Sequence, residues 1–172
     1  MSPESVFLDF SARKLGELCS RIEVCTAKLT PEQIWARGHE NENAVGNLML
    51  HLAGNVRQWI LHGVGGQPDH RQRDTEFAAR GGLAVEELAR RLRGTVDEAI
   101  AVIRSLPPEK LTEVRTIQKH YSVALLEAIY HVVEHFSQHT GQIIFATKLL
   151  TGEDLGFYGH LKSPKAAADS TP

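Results

Sequence analysis

Residues 129–144 read IYHVVEHFSQHTGQII, and this stretch carries both the fold and the chemistry. Its apolar members Ile129, Val132, Val133, Phe136 and Ile143 follow the period of an amphipathic helix. Working outward, Leu125 and Leu150 extend the stripe, so the spacing predicts a helix from near Ser122 to near Leu150. His131, His135 and His139 stand at i, i+4 and i+8. Successive members are offset by about 40° around the helix and ~6 Å along it, so neighbouring pairs share a face. With nine histidines in 172 residues, chance supplies such a run about 0.02 times per chain, so the spacing is a signal.

Three further amphipathic segments precede it. Ser2 and Pro3 open the first, an N-cap followed by proline at the first helical position. Phe7, Phe10, Leu15, Leu18, Ile22, Cys25 and Leu29 form its expected buried stripe. Thr30-Pro31-Glu32-Gln33 is a capping box that begins a short turn ending near Gly38. The second long segment follows the cap candidates Asn41–Asn43. It places Val45, Leu48, Leu52, Val56, Trp59 and Ile60 inward and ends at Gly63, Gly65 and Gly66. The third runs from about Val85 to Leu106, with Leu88, Leu92, Val96, Ala99 and Ile103 inward, and is stopped by Pro107-Pro108.

Between these, residues 67–82 (QPDHRQRDTEFAARGG) have no clean period and predict a long loop, of the kind that tends to be functional or mobile. Residues 111–121 (LTEVRTIQKHY) lean towards β structure without a visible partner. Four amphipathic helices without alternating strands predict an all-α, four-helix bundle. One metal-binding domain is expected over residues 1–162, with a small, polar, disordered tail over 163–172.

The 19 Lys and Arg against 21 Asp and Glu give a formal charge of −2, which favours neither nucleic acid nor an anionic membrane as partner. No apolar run approaches the ~20 residues of a membrane helix. The amino terminus, with Glu4 and Asp9, lacks the basic start of a secretory signal. Cys19 and Cys25, about 9 Å apart along a helix, are too distant to bridge. Together these features predict a cytoplasmic protein with reduced, buried cysteines.

An i,i+4 histidine pair on one helix can chelate a single ion. Two ligands hold a divalent ion weakly, so a third is expected from another helix. His51, in NLMLHLAGN between Leu48 and Leu52, is the best candidate, although taken alone it reads as a satisfied core histidine. One ion cannot reach both His131 and His139, which a helix separates by ~12 Å. Of the two pairs, 135/139 is chosen because Gly141 and Gln142 follow it. Gly141 either leaves room beside His139 or permits close helix packing. Asn55, Gln142 and His131 are candidates to support the ligands or a bound water. Glu134, turned about 100° from His135, reads as a solvated or interhelical charge. Arg71, Arg73 and Glu76 are candidates for a lid over the ion that contacts an anionic substrate. His39, His62, His70, His120 and His160 read as ordinary surface residues.

The segments NAVGNLMLHLAGNVRQWI (43–60) and YHVVEHFSQHTGQIIFATKLL (130–150) resemble the DinB-like superfamily of damage-inducible-type bacterial helical bundles. RDTEFAARGG (73–82) is similar to one of its branches, and the likeness spans about residues 5–158. Its most specific part is HxxxHxGQ, from His135 to Gln142. The resemblance implies an up-down-down-up four-helix bundle, usually a homodimer, whose metal is held by one histidine of the second helix and two of the last. Those are His51, His135 and His139. Thr140 stands where many relatives have Arg.

Three neutral imidazoles leave an ion its full double charge, which suits activation of a water or a thiol. Imidazole ligands serve zinc or nickel first, with iron, copper or manganese as alternatives. The resemblance implies low-molecular-weight thiols as substrates in S-transfer or isomerisation, or else metal-dependent hydrolysis. The leading expectation is therefore a metal-dependent enzyme acting on a small molecule, with the thiol transferase preferred. The alternative is a non-catalytic, metal-binding stress-response protein. A cleft bordered by residues 67–82 would favour the enzyme, and a saturated metal the alternative.

Overall fold

Ser2 accepts a hydrogen bond from the Ser5 amide at 3.3 Å and starts helix α1, Pro3–Thr26, as its sequence requires. The computed structural model describes residues 2–161; the expected tail at 163–172 lies outside them. Helix α2, Pro31–Ile34, is opened by the capping box: Thr30 Oγ1 accepts from the Gln33 amide, and Gln33 Oε1 from the Thr30 amide. Helix α3 spans Val45–Val56 and continues into a π-helical segment, Arg57–Val64. Helix α4 spans Arg73–Ala78 and α5 Val85–Ser105. A 3-10 turn, Pro108–Thr112, leads to strands β1, Val114–Ile117, and β2, Tyr121–Ala124. Helix α6, Leu125–Thr151, ends at left-handed Gly152, whose amide donates to the Lys148 carbonyl, and a 3-10 turn, Gly159–Leu161, is the last element among the described residues.

The architecture is all-α apart from one small hairpin. Helix α1 packs on both α5 and α6, α3 packs on α5 and α6, and the π-helical segment touches α5 and α6 as well. Leu15, Ile22, Leu52, Ile60, Leu92, Ile103, Ile129 and Phe136 fill the space between them and are almost wholly buried. Arg93 of α5 forks onto Glu23 of α1, with both contacts at 2.7 Å, and fixes the register of that pair. Among the described residues, no helix is long and apolar enough to cross a membrane.

Several expectations change. Phe10 lies outside the core, 50% exposed, because Leu8, Ala12 and Leu15 occupy the inner line while Phe10 sits beneath Arg13 and Lys14. Leu150 is also exposed, in the last turn of α6. The second long helix ends among the glycines expected to close it, with Gly65 as its C-cap, but its last turns are not α-helical. Its hydrogen bonds shift to the π pattern and carry it to Val64, with the Gly65 amide donating to the Ile60 carbonyl. Ala44 stands at its N-cap, not one of the asparagines at 41–43. Residues 67–82 are not a featureless loop, since α4 lies within them.

The β-leaning stretch finds its partner in residues that the helical reading gave to the start of α6. Strand β1 pairs antiparallel with β2, Val114 opposite Ala124 and Ile117 opposite Tyr121. Gln118 and Lys119 make the turn with φ of 55° and 62°, a left-handed conformation that costs non-glycine residues energy. Packing offsets that cost. Ile117 is fully buried, and its Cδ1 would lie 2.4 Å from a Cβ at Gly63, so the bare glycine is the notch that receives the hairpin. Ile117→Ala should therefore lower the unfolding free energy by about 2–4 kcal/mol in urea titration. A change below about 0.5 kcal/mol would mean that the hairpin lies outside the cooperative core.

Candidate metal centre

His51 projects from the middle of α3, and His135 and His139 project one turn apart from α6. The packing of α3 against α6 brings all three imidazoles together. Nε2 of His135 lies 3.1 Å from Nε2 of His51 and 3.2 Å from Nε2 of His139. One ligand atom from each lies within 4.8 Å of the other two, a spacing that can hold a metal ion.

The outer nitrogens fix the tautomers. His51 Nδ1 lies 3.0 Å from Glu76 Oε2, and His139 Nδ1 lies 2.7 Å from Gln142 Oε1. Both oxygens accept, so both Nδ1 atoms carry the hydrogen and both Nε2 lone pairs point inward. Burial pushes the His135 imidazole down to about 3, helped by the neighbouring His139 and His51. Burial also holds His139 below its ordinary value, against the pull of Gln142. Both rings are therefore neutral at pH 7.

His135 decides whether a metal fits. Its Nδ1 is buried without a hydrogen-bond partner. If its hydrogen sits on Nε2, one bond to a neighbouring imidazole forms and a buried lone pair is stranded. If the hydrogen sits on Nδ1, that N–H is buried without an acceptor, but three Nε2 lone pairs converge on one point, an arrangement that a cation stabilises. The donor set is thus suited to a divalent ion of the kind imidazoles bind.

Behind His51 lies a buried ion pair. Arg71 Nε donates to Glu76 Oε1 and Nη2 to Oε2, both at 2.8 Å, while Nη1 donates to Gln58 Oε1 at 2.9 Å. Arg71 Nη2 also lies 3.1 Å from His51 Nδ1. Both atoms are donors, so Glu76 Oε2 collects the two hydrogens. Burial acts to raise the Glu76 carboxyl, but the hydrogen bonds from Arg71 and His51 outweigh it and leave it below the usual range. A Cβ at Gly54 would sit 2.0 Å from Glu76 Oε1 and 2.8 Å from its Cδ. The glycine one turn beyond His51 therefore makes the seat for the carboxylate. Asn47, fully buried, donates to the carbonyls of Glu76 and Ala79 at 2.8 and 3.0 Å and pins α4 to α3. The His51 ring also packs against Phe77, with centroids 4.7 Å apart.

Of the residues expected over the ion, Arg71 and Glu76 form a buried ion pair, and Arg71 also lines the cavity beside His51. Their side chains are 3% and 9% exposed and they support His51 from behind. Arg73 alone keeps the position expected of a lid residue: it is exposed, with its guanidinium 4.8 Å above the Phe77 ring. His131 turns away from the converging nitrogens and stacks on Trp59, with centroids 4.2 Å apart. Asn55 makes no bond to a histidine, and its Oδ1 is buried without a partner. Gly141 faces open space, so it neither makes room for His139 nor packs closely within the chain. Thr140 is buried and donates to the Phe136 carbonyl at 2.8 Å. Glu134 is exposed and bonded to Gln138. His39, His70, His120 and His160 are exposed; His62 is half-buried, its ring bonded to the Gln67 carbonyl.

A cavity of about 410 Å³ opens beside His51 and His135, walled by Asn55, Trp59, Tyr121 and His131. Burial holds His131 below its ordinary value, so it too lines the cavity as a neutral ring. Trp59 and Tyr121 gave no signal as site residues, because aromatic residues at helical or β spacing read as core. Gly54 was visible as a glycine inside a helix, whereas the 25-residue separation of Glu76 from His51 follows no period.

Fold and site define an all-α protein whose three clustered histidines can hold a metal ion. Residues 4–162 match the family described as "Protein of unknown function (DUF1572)", and the chain belongs to that family. In fold it is similar to the crystal structure of the conserved protein of locus from Enterococcus faecalis. The TM-score is 0.69 at 17% identity, covering 84% of this chain and 96% of that one. No curated protein matches the chain.

The carboxylate behind His51 gives a direct expectation. Glu76→Gln and Gly54→Ala, neither of which touches the converging nitrogens, should each weaken zinc affinity by about 10-fold or more in a chelator-competition titration. Wild-type affinity in both would detach the ion pair from the site.

Proposed function

We propose that the chain is a metal-dependent enzyme of the DinB-like superfamily, with the up-down-down-up bundle of that group. His51, His135 and His139 would hold one divalent ion, zinc or nickel before iron or manganese. The observation that carries this reading is the convergence of three Nε2 atoms, two of them with tautomers set by Glu76 and Gln142. When bound, an ion held by three neutral imidazoles keeps its double charge and supplies the Lewis acidity to deprotonate a thiol or a water near neutral pH.

The protein's own groups divide the remaining work. The Arg71–Glu76 pair orients His51, and Gln142 orients His139. Trp59, Val123 and Tyr121 exclude water from one side of the cavity, and Arg73 offers a cation at the other. The cavity favours an enzyme over a stress protein that only stores or senses an ion, because a saturated site needs no adjoining space. Between the two reactions, the S-transferase on a low-molecular-weight thiol is preferred over the hydrolase, on the family resemblance.

Protein purified without an affinity tag should contain about one metal per chain by elemental analysis. His51→Ala, His135→Ala and His139→Ala should each abolish tight binding, whereas His131→Ala should retain it. If His131→Ala loses the ion while His139→Ala keeps it, the ligand register is wrong by one helical turn.

We also propose a homodimer through α6. Leu126, Tyr130, Phe145 and Leu149 expose 40%, 62%, 64% and 71% of their surface, on one broad side of that helix. Apolar area of that kind is stabilised by a second copy. Sedimentation equilibrium at micromolar concentration should return twice the chain mass, and Phe145→Lys should shift it towards the single mass. A wild-type chain that sediments as a monomer rejects the dimer.

A further inference from the structure

We infer that Arg37 is a positioning residue of the metal centre: it clasps the carboxyl end of α4 to α3 and so keeps the Glu76 carboxylate on His51. The inference rests on the metal reading of the three histidines. It adds a residue that bonds to none of them and does not line the cavity beside them.

Helix α4 cannot hold itself in place. Arg73–Ala78 is six residues long, well short of the ~12–15 that a free helix needs. Glu76 is its buried residue and Phe77 is half-buried, so little apolar surface ties it down. Polar contacts hold it instead, along one line of α3 and the start of the π-helical segment. Asn47, His51, Gly54 and Gln58 stand at i, i+4, i+7 and i+11, and each meets the passing chain at a different point. Gln58 donates to Asp69 Oδ2 at 2.8 Å and accepts from Arg71 Nη1 at 2.9 Å. Gly54 leaves room for the Glu76 carboxylate, and His51 donates to it. Asn47 donates to the carbonyls of Glu76 and Ala79.

Arg37, from the chain between α2 and α3, closes the far end. Its Nη2 reaches Asn47 Oδ1 at 2.5 Å and the carbonyls of Phe77 and Ala79 at 3.3 and 3.2 Å. Those carbonyls belong to the end of α4, where a helix leaves acceptors unpaired and favours a cation. All three acceptors are neutral, and the Arg37 Nε is buried without a partner. The guanidinium therefore gives up hydration without gaining a counter-ion, and what it secures is an arrangement. Asn47 Oδ1 also accepts from the Ala44 amide at 3.1 Å, so the clasp is anchored at the N-cap of the helix that carries His51.

The chain of dependence is short. The carbonyls that Arg37 holds lie one and three residues beyond Glu76. Releasing them frees the carboxylate from its seat at Gly54, and His51 loses the anion that sets its tautomer and basicity.

The test is a double-mutant cycle read in zinc affinity, by chelator competition on the full chain. Arg37→Met, which keeps the stem and removes the fork, should weaken zinc about fivefold. In a Glu76→Gln background, where the anion behind His51 is already gone, the same substitution should change affinity by less than about twofold. Amide exchange at Phe77, Ala78 and Ala79 should quicken in Arg37→Met. Arg37→Lys, which keeps the charge without the planar fork, should behave alike, and it replaces Arg37→Met if that variant does not fold. Equal weakening in both backgrounds would give Arg37 a general structural role and overturn the inference, as would wild-type affinity in Arg37→Met. A wild-type chain that binds no zinc rejects the metal reading, and the clasp is then read without metal, from α4 exchange and the ring nitrogen shifts of His51. Values that move in Arg37→Met keep Arg37 as the residue that holds Glu76 on His51, and unchanged values reject it.

Discussion

The site depends on a carboxylate that has been taken out of water. Glu76 is 8% exposed, and an ionised carboxylate so placed is tolerable only when its oxygens are filled. Arg71 supplies two donors in fork geometry and His51 supplies a third. Exchanging such a pair for apolar residues is often neutral in stability, whereas removing one partner costs about 3–5 kcal/mol. The pair therefore specifies an arrangement more than it strengthens the fold. It sets the His51 tautomer and determines where α4 lies. It also requires the atom of Cβ space that Gly54 leaves open.

Helix α6 supplies the other half by simple geometry. Residues four apart on a helix lie one above the other, so His135 and His139 meet without help from any loop. The same rotation that joins them removes His131, which has turned far enough to stack on Trp59. A run of three histidines thus divides into two that converge with His51 and one that walls the cavity. Thr140, at the centre of this turn, returns its hydroxyl to the Phe136 carbonyl and keeps a polar residue buried at no unpaired cost.

What the sequence makes legible follows from the range of the forces involved. The long helices and their inward residues are periodic, and period is a local property, so α1, α3, α5 and α6 are readable from residue spacing alone. The candidate ligands are readable for a related reason: two lie on one helix at i,i+4, and His51 lies on the buried stripe of another. The hairpin is not readable, because its strands are four residues each and one is masked by the start of a helix. The role of Glu76 is hidden for a deeper reason. A carboxylate flanked by Arg71, Arg73 and Asp74 looks like solvated surface until Asn47 and Gly54, both on a different element, bury it. Polar residues acquire their meaning from tertiary partners, and such partners leave no period behind.

The backing of the three imidazoles is unequal, and this gives the centre a direction. His51 is backed by an ionised carboxylate, and His139 by a neutral amide oxygen. His135 is backed by nothing, its Nδ1 buried and unpaired. A donor that gives its outer hydrogen to an anion becomes a stronger base at the inner nitrogen, so the three rings would not share an ion's charge equally. Towards such an ion His51 would be the strongest donor of the set and His135 the weakest. The unbacked ring is also the one that lies between His51 and His139 and borders the cavity, beside Asn55 and His131. Among the described residues, three of the four buried polar atoms without a partner belong to residues that line this cavity, His135, Asn55 and Trp59; the fourth, Arg37 Nε, lies apart, on the guanidinium that donates to Asn47.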